Sequence, residues 1–224
     1  MGNSYEIVIH LDVKDDALKI IQEMHTRFCA YGFDDKKYKE MILSDHEEED
    51  DNDWEPVDDL HQAFERIAEH PALGGVIYSI EAYTLVVGYR RQTKADSVQC
   101  ISIAFDDFWI KHELTRQAIK RLLALVVEAH LTYKALRTIW QWELEAAHSN
   151  YWQEERQRLF GHQITGLYWL DILREEFVTP ERIDFLSQNL TVESVLERLD
   201  DGSLYYQRSG SPEDWYVVPK VNAK

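Results

Sequence analysis

Four groups of residues in this 224-residue chain have types and spacings that could do chemistry. Residues 45–59 read DHEEEDDNDWEPVDD, ten carboxylates in fifteen positions. Such a run can solvate a loop, or it can meet a basic groove on a partner. Glu145 and His148 form a Glu-x-x-His pair that could face a metal from one turn of helix, but a di-iron centre needs a second copy and the chain has none. Trp140, Trp142, Tyr151 and Trp152 could stack on a base or a sugar, although aromatics this dense more often fill a core or an obligate interface. The remaining histidines, among them His10, His46, His61, His70, His112 and His162, are scattered without ligand spacing.

No sequence carries the glycine pattern of a dinucleotide or phosphate cradle, the GxSxG nucleophile turn or the HExxH zinc helix. Nothing places two carboxylates in one cleft with separated pKa values. The expectation is therefore a protein that is not an enzyme, with no catalytic residues, no metal and no cofactor.

The net charge of -17 is unevenly spread. Residues 1–75 hold 20 acidic and 7 basic side chains, and residues 76–224 hold 21 and 17. Charge of this kind speaks to partners rather than to fold. Nucleic acid is a poor direct ligand, because phosphate binding needs a basic stripe. A basic protein is a better one. In that reading Glu47, Glu48, Glu49, Asp50, Asp51, Asp53 and Glu55 engage the partner, with Trp54 as an aromatic anchor. The alternatives are that the run is a solvated loop, and that Trp54 folds back over the following helix.

These groups need a scaffold, and the patterning supplies one. Tyr5 to Leu11 alternates as a half-buried strand does, with Tyr5, Ile7, Ile9 and Leu11 on one face. From Asp15 to Tyr31 the apolar period lengthens to three and four, which predicts an amphipathic helix closed by Gly32. The acidic stretch at about 45–59 reads as a loop. A short helix carrying Leu60, Phe64 and Ile67 follows and ends before Pro71. Val76 to Ile80, Tyr83 to Arg91 and Val98 to Phe105 predict an antiparallel meander. Glu113 to Leu131 carries the broadest apolar stripe. Thr179 and Pro180 open a helix reaching about Gln188. Val192 to Leu199 and Ser203 to Arg208 flank Asp200-Asp201-Gly202 as a hairpin. The boundaries within 133–160 stay open.

The predicted fold is α+β, a mostly antiparallel sheet packed by amphipathic helices in a single domain spanning 1–224. A chain of this length can bury roughly 70% of its unfolded surface. No apolar run approaches the roughly 18 residues of a membrane span, and the start carries neither a secretory signal nor a myristoylation signal. Cys29 and Cys100 lie far apart with no CxxC partner, as suits a reducing compartment. Together these predict a cytoplasmic protein that has no membrane contact.

The C-terminal third carries a family likeness. Gly166-Leu167-Tyr168-Trp169-Leu170-Asp171-Ile172-Leu173, the Thr179-Pro180 helix, Asp201-Gly202-Ser203-Leu204-Tyr205-Tyr206 and Ser211-Pro212-Glu213-Asp214 resemble bacterial type VI secretion immunity proteins. The likeness is greatest to those that guard against VRR-Nuc nuclease effectors. The chain departs from the pattern in its acidic insert and in lacking a second glycine after the Tyr-Trp segment. The resemblance implies an antitoxin that neutralises a co-encoded nuclease by stoichiometric binding, blocking its basic DNA-binding or active-site surface. Gly166, Tyr168 and Trp169 would be structural. The alternatives are a small hydrolase with an aromatic pocket drawn from residues 140–169, and an acidic mimic of DNA.

Overall fold

A computed structural model describes residues 4–12, 16–33, 40–44, 54–70, 73–80, 83–91, 98–106, 113–142, 157–163 and 167–209. Its strands are β1 (Ser4–His10), β2 (Glu40–Ser44), β3 (Trp54–Pro56), β4 (Leu73–Ile80), β5 (Tyr83–Arg91), β6 (Val98–Asp106), β7 (Arg137–Trp142), β8 (Leu170–Leu173), β9 (Val195–Arg198) and β10 (Leu204–Gln207). The helices are α1 (Ala17–Ala30), α2 (Leu60–Glu69), α3 (Glu113–Tyr133) and α4 (Pro180–Gln188), with a 3-10 turn at Glu175–Phe177 and further helical residues at 157–160. The fold is α+β, as the patterning predicts.

All ten strands join one sheet in the order β3-β2-β4-β5-β6-β1-β7-β8-β10-β9, and every pairing is antiparallel. The first strand of the chain lies in the middle, paired with β6 on one side and β7 on the other. This placement explains why β1 is not half-buried as its alternation suggests. Tyr5, Ile7 and Ile9 are fully buried on one face, while Val8 is fully buried and His10 nearly so on the other. A central strand is covered on both faces over much of its length, and here only Glu6 on the second face stays half-buried.

Helices α1, α2 and α3 cover the face that carries Tyr5, Ile7 and Ile9. Ile20, Ile21, Met24 and Phe28 of α1, Phe64 and Ile67 of α2, and Leu122, Leu125 and Val126 of α3 share one apolar core with Val87, Ile103, Trp140 and Tyr205. Burial of each such side chain is worth roughly 1.5–3 kcal/mol relative to exposure. A second cluster lies under the C-terminal half of the sheet. There Leu159, Leu167, Phe177 and Leu186 pack with Leu173, Leu204 and Tyr206.

Local sequence sets the helix ends. Asp16 accepts from the Leu18 amide at 2.8 Å to open α1. Gly32, at φ +78°, closes it, with the Phe33 amide reaching the Phe28 carbonyl at 2.8 Å. Thr179 caps α4 by accepting from the Arg182 amide at 3.3 Å, and Pro180 takes the first helical position, where its missing N–H costs nothing. The structure also shows elements that the pattern does not. Trp54–Pro56, within the stretch expected to be a loop, pairs with β2 as the edge strand of the sheet. Arg137–Trp142 is the strand that residues 133–160 left open.

Candidate functional site

Of the residues proposed for a partner interface, Glu47, Glu48, Glu49, Asp50, Asp51 and Asp53 lie outside the described residues. The backbone of Trp54 and Glu55 is placed. Trp54 stands opposite Ile42 and Glu55 opposite Met41, at the first edge of the sheet. The acidic run ends in a structural role, because Asp59 accepts from the His61 amide at 2.8 Å and caps α2. Glu145, His148, Tyr151 and Trp152 also lie outside the described residues. Trp140 is fully buried against Phe105 and Trp169, with ring centroids 5.5 and 4.8 Å away. Of the aromatic cluster only the Trp140 side chain is described, and it fills the interior, as do Tyr168 and Trp169 beside it.

Three polar groupings are built with more care than the sequence discloses. The first joins β7 to β8. Arg137 donates from Nε to Asp171 Oδ1 at 2.8 Å and from its terminal nitrogen to Oδ2 at 2.6 Å, and both side chains are almost fully buried. The guanidinium also stacks over the Tyr168 ring, 4.8 Å from its centroid. A bidentate pair with a ring against its flat face suits arginine and not lysine.

The second grouping sits where α3 meets β7 and the C-terminal hairpin. His130 is fully buried, with Nδ1 2.9 Å from Thr138 Oγ1 and Nε2 3.3 Å from Ser203 Oγ. The Ser203 hydroxyl donates to Asp201 Oδ2 at 3.0 Å, and its amide donates to Oδ1 at 2.9 Å. Since Ser203 spends its proton on Asp201, its oxygen accepts from His130 Nε2–H, and the bare Nδ1 accepts from Thr138. This direction is the reverse of an activated serine, which must give its proton to the imidazole. Ser203 is also fully buried. The cluster holds three elements together. Burial pushes the imidazole down to about 4, against the opposing pull of Asp201 and Asp171.

The third grouping bridges α1 and α3 at the surface. Arg27 donates to Glu128 at 3.2 Å and to the Tyr133 hydroxyl at 3.2 Å, and Tyr133 in turn donates to Glu23 at 3.2 Å. Tyr31 donates to the other Glu128 oxygen at 2.7 Å. On the opposite sheet face Glu6 stands beside Val8 and His10. Burial pushes its carboxyl up to about 8, with Arg90 pulling the other way. Cys100 on the neighbouring strand is buried, whereas Cys29 is exposed on α1, so the two thiols have different environments.

Among the described residues, no three His, Cys, Asp or Glu side chains gather as metal ligands would, and no helix is long and apolar enough to cross a membrane. None of the three polar groupings was singled out in the sequence as a site. Arg137 lies 34 residues from Asp171 and His130 lies 73 from Ser203, and the packing of β7, β8, β10 and α3 brings each pair together.

The described surface is most unusual at the other end of the sheet. Strand β9 is the outer strand, and Val195, Glu197 and Arg198 are exposed along it. Leu190 and Val192, in the segment leading into it, are exposed as well. Sequence patterning locates this hairpin but gives no sign that Leu190, Val192 and Val195 stand exposed beside it.

No family model matches the chain, and no curated protein matches it. Its fold is similar to that of a solved structure, the Pseudomonas aeruginosa T6SS protein PA0821, with a TM-score of 0.52 over 94% of this chain and 67% of that one. The two are 10% identical, so the likeness is one of fold.

Proposed function

We propose that this chain is an immunity protein that neutralises a co-encoded nuclease-type effector of a type VI secretion system by stoichiometric binding. The observation that carries the reading is the agreement of two independent likenesses. The residues between Gly166 and Asp214 resemble type VI immunity proteins, and a T6SS protein shares the architecture across 94% of the chain. The charge supports it. A nuclease holds phosphates in a basic groove, and a partner with net charge -17 can compete for that groove and associate quickly. In this reading the chain has no catalytic role, and it works in the cytoplasm, where a nuclease effector would reach DNA.

The test is co-expression with the effector encoded beside it. Cells making the effector alone are expected to stop dividing with degraded DNA, and cells making both to grow. Calorimetry on the purified pair should give a one-to-one complex. Charge reversal of residues 47–53 should weaken it at low salt and matter less at high salt. Growth arrest that persists in cells making both proteins would sink the reading. Equal affinity of the charge-reversed chain at low salt would remove the acidic run from it.

A further inference from the structure

The sheet face away from α1, α2 and α3 carries two opposite charges that do not meet. Glu6 on β1 points to that face because it alternates with Tyr5 and Ile7, and the register sets Ser102 of β6 opposite Val8 and Arg90 of β5 opposite Cys100 on the same side. Glu6, Ser102 and Arg90 are all half-buried. Among the described residues, neither the Glu6 carboxyl nor the Arg90 guanidinium makes a hydrogen bond or an ion pair. They are near enough to feel each other, since Arg90 pulls against the burial that pushes the Glu6 carboxyl up.

The register explains the gap. Glu6 lies opposite Ala104 on one side of β6, and Arg90 lies opposite Cys100 on the other. Two strand spacings across and four residues along put their Cα atoms on the order of 17 Å apart. The direct line between them crosses Ser102, which Gly88 and Val8 flank. A hydroxymethyl group beside a glycine raises little between the charges, so the line is a trough with an acid at one end and a base at the other. Val8, Ile77, Gly88 and Cys100 around it are buried, which keeps it narrow. Drawing a charge part-way out of water without a counter-ion costs stability, and an apolar residue would serve a central strand better. Unmatched, perturbed titratable groups that share a recess mark a binding site more often than a structural one.

We propose that this trough binds a small zwitterion whose ammonium meets Glu6 and whose carboxylate meets Arg90, with its carbon chain crossing Ser102. A guanidinium takes a carboxylate through two parallel hydrogen bonds, which fixes that end of the ligand. A single cation or a single anion leaves the other charge unmatched. A facing protein would have to send a cation and an anion down one slot, which selects a small molecule. The remaining titratable groups that the described residues place on this face are His10 on β1, Cys100 on β6 and the Arg137–Asp171 pair of β7 and β8, which is closed on itself. The site uses neither the acidic run nor the effector.

The experiment titrates the full chain at about pH 8.5, where both ends of each probe are charged, with glycine, β-alanine, γ-aminobutyrate and ε-aminocaproate. Binding is followed by heat and by backbone amide shifts. One of the two longer members is expected to bind at least tenfold more tightly than glycine, whose charges lie too close together to reach both ends. Butylamine and butyrate, with one charge each, should bind at least tenfold more weakly than the best member. The shifts should centre on Gly88 and Ser102. Glu6→Gln and Arg90→Gln should each weaken the best member at least tenfold. Ser102→Leu, which keeps both charges and fills the trough, should do the same.

Binding of none of the four, or equal binding of the best member and the single-charge controls, would overturn the proposal on the native chain alone, whatever the variants do to folding. Unchanged affinity in both glutamine variants would put the ligand elsewhere and overturn it as well. If the series fails to bind while the glutamine variants lose the effector, the two charges belong to a protein interface and the small-molecule site is wrong.

Discussion

Arg137 and Asp171 stand on neighbouring strands, offset by two residues in register, and close a bidentate ion pair at 2.8 and 2.6 Å inside the protein. Removing two charges from water costs several kcal/mol each, and the mutual attraction offsets that only while both partners remain. Asp171→Ala takes the bidentate carboxylate away from a guanidinium buried under the Tyr168 ring. The expected loss is about 3–5 kcal/mol in urea unfolding. Replacing both residues, as Arg137→Met with Asp171→Leu, should recover most of it. If the double variant were no more stable than Asp171→Ala, the pair would not be the source of the loss.

That pair also marks the limit of what the residues disclose. Elements with local rules were legible: α1 from its period and Gly32, α4 from Thr179 and Pro180, and the last hairpin from Gly202. Each is set by a few neighbouring residues. Strand β7 was not, because Arg137, Thr138, Ile139 and Trp140 are all buried and lack the alternation of a half-exposed strand. The insertion of β1 between β6 and β7 was also invisible, since sheet order is a long-range choice. The acidity of residues 45–59 could be read from composition, but the strand Trp54–Pro56 could not, because it forms where β2 offers it an edge.

His130 makes stability depend on acidity. Its ordinary value is 6.5, and burial lowers it to about 4 in the folded chain. The unfolded state therefore binds the proton more readily between these values. The contribution is complete above pH 6.5 and is lost as the pH falls through 4, reaching on the order of 3 kcal/mol when fully lost. The stability of the native chain relative to His130→Gln, which keeps a neutral hydrogen-bonding side chain and shares every other titrating group, should fall steadily from pH 7 to 5.5 to 4.5. Parallel curves for the two would exclude the imidazole as the cause.

Glu6 acts with the opposite sign. Its carboxyl rises from 4.5 to about 8 on folding, because burial on the central strand outweighs the pull of Arg90. The folded state holds a proton that the unfolded state has released. Stability from this group is complete below pH 4.5 and is lost as the pH rises through 8. Glu6→Gln mimics the neutral acid at every pH. It should leave stability at pH 4.5 nearly unchanged and raise it relative to the native chain at pH 9. A variant equally or less stable than the native chain at pH 9 would show that the carboxyl is well accommodated as an anion.

Gly74 fixes how closely α2 approaches the sheet. A Cβ added there would lie 2.8 Å from Ile67 Cγ2 and 3.1 Å from the Ile67 Cα, and the second is a backbone atom that no rotamer change can move. Gly74→Ala must therefore lift α2 from β4, and overpacking of this kind costs roughly 1–3 kcal/mol. Ile67→Ala alone empties a buried site and costs roughly 2–5 kcal/mol. The two changes meet in one contact, so they should not add. With Ile67 shortened, the new methyl group is rid of the 2.8 Å approach to Cγ2, keeps the contacts with Cα and Cβ at 3.1 and 3.2 Å, and fills part of the space the side chain leaves. The double variant is expected to be more stable than the sum of the single losses predicts, by about 0.5 kcal/mol or more in urea unfolding. Strict additivity would mean that α2 yields by another route, and that the contact at Gly74 does not set its distance from the sheet.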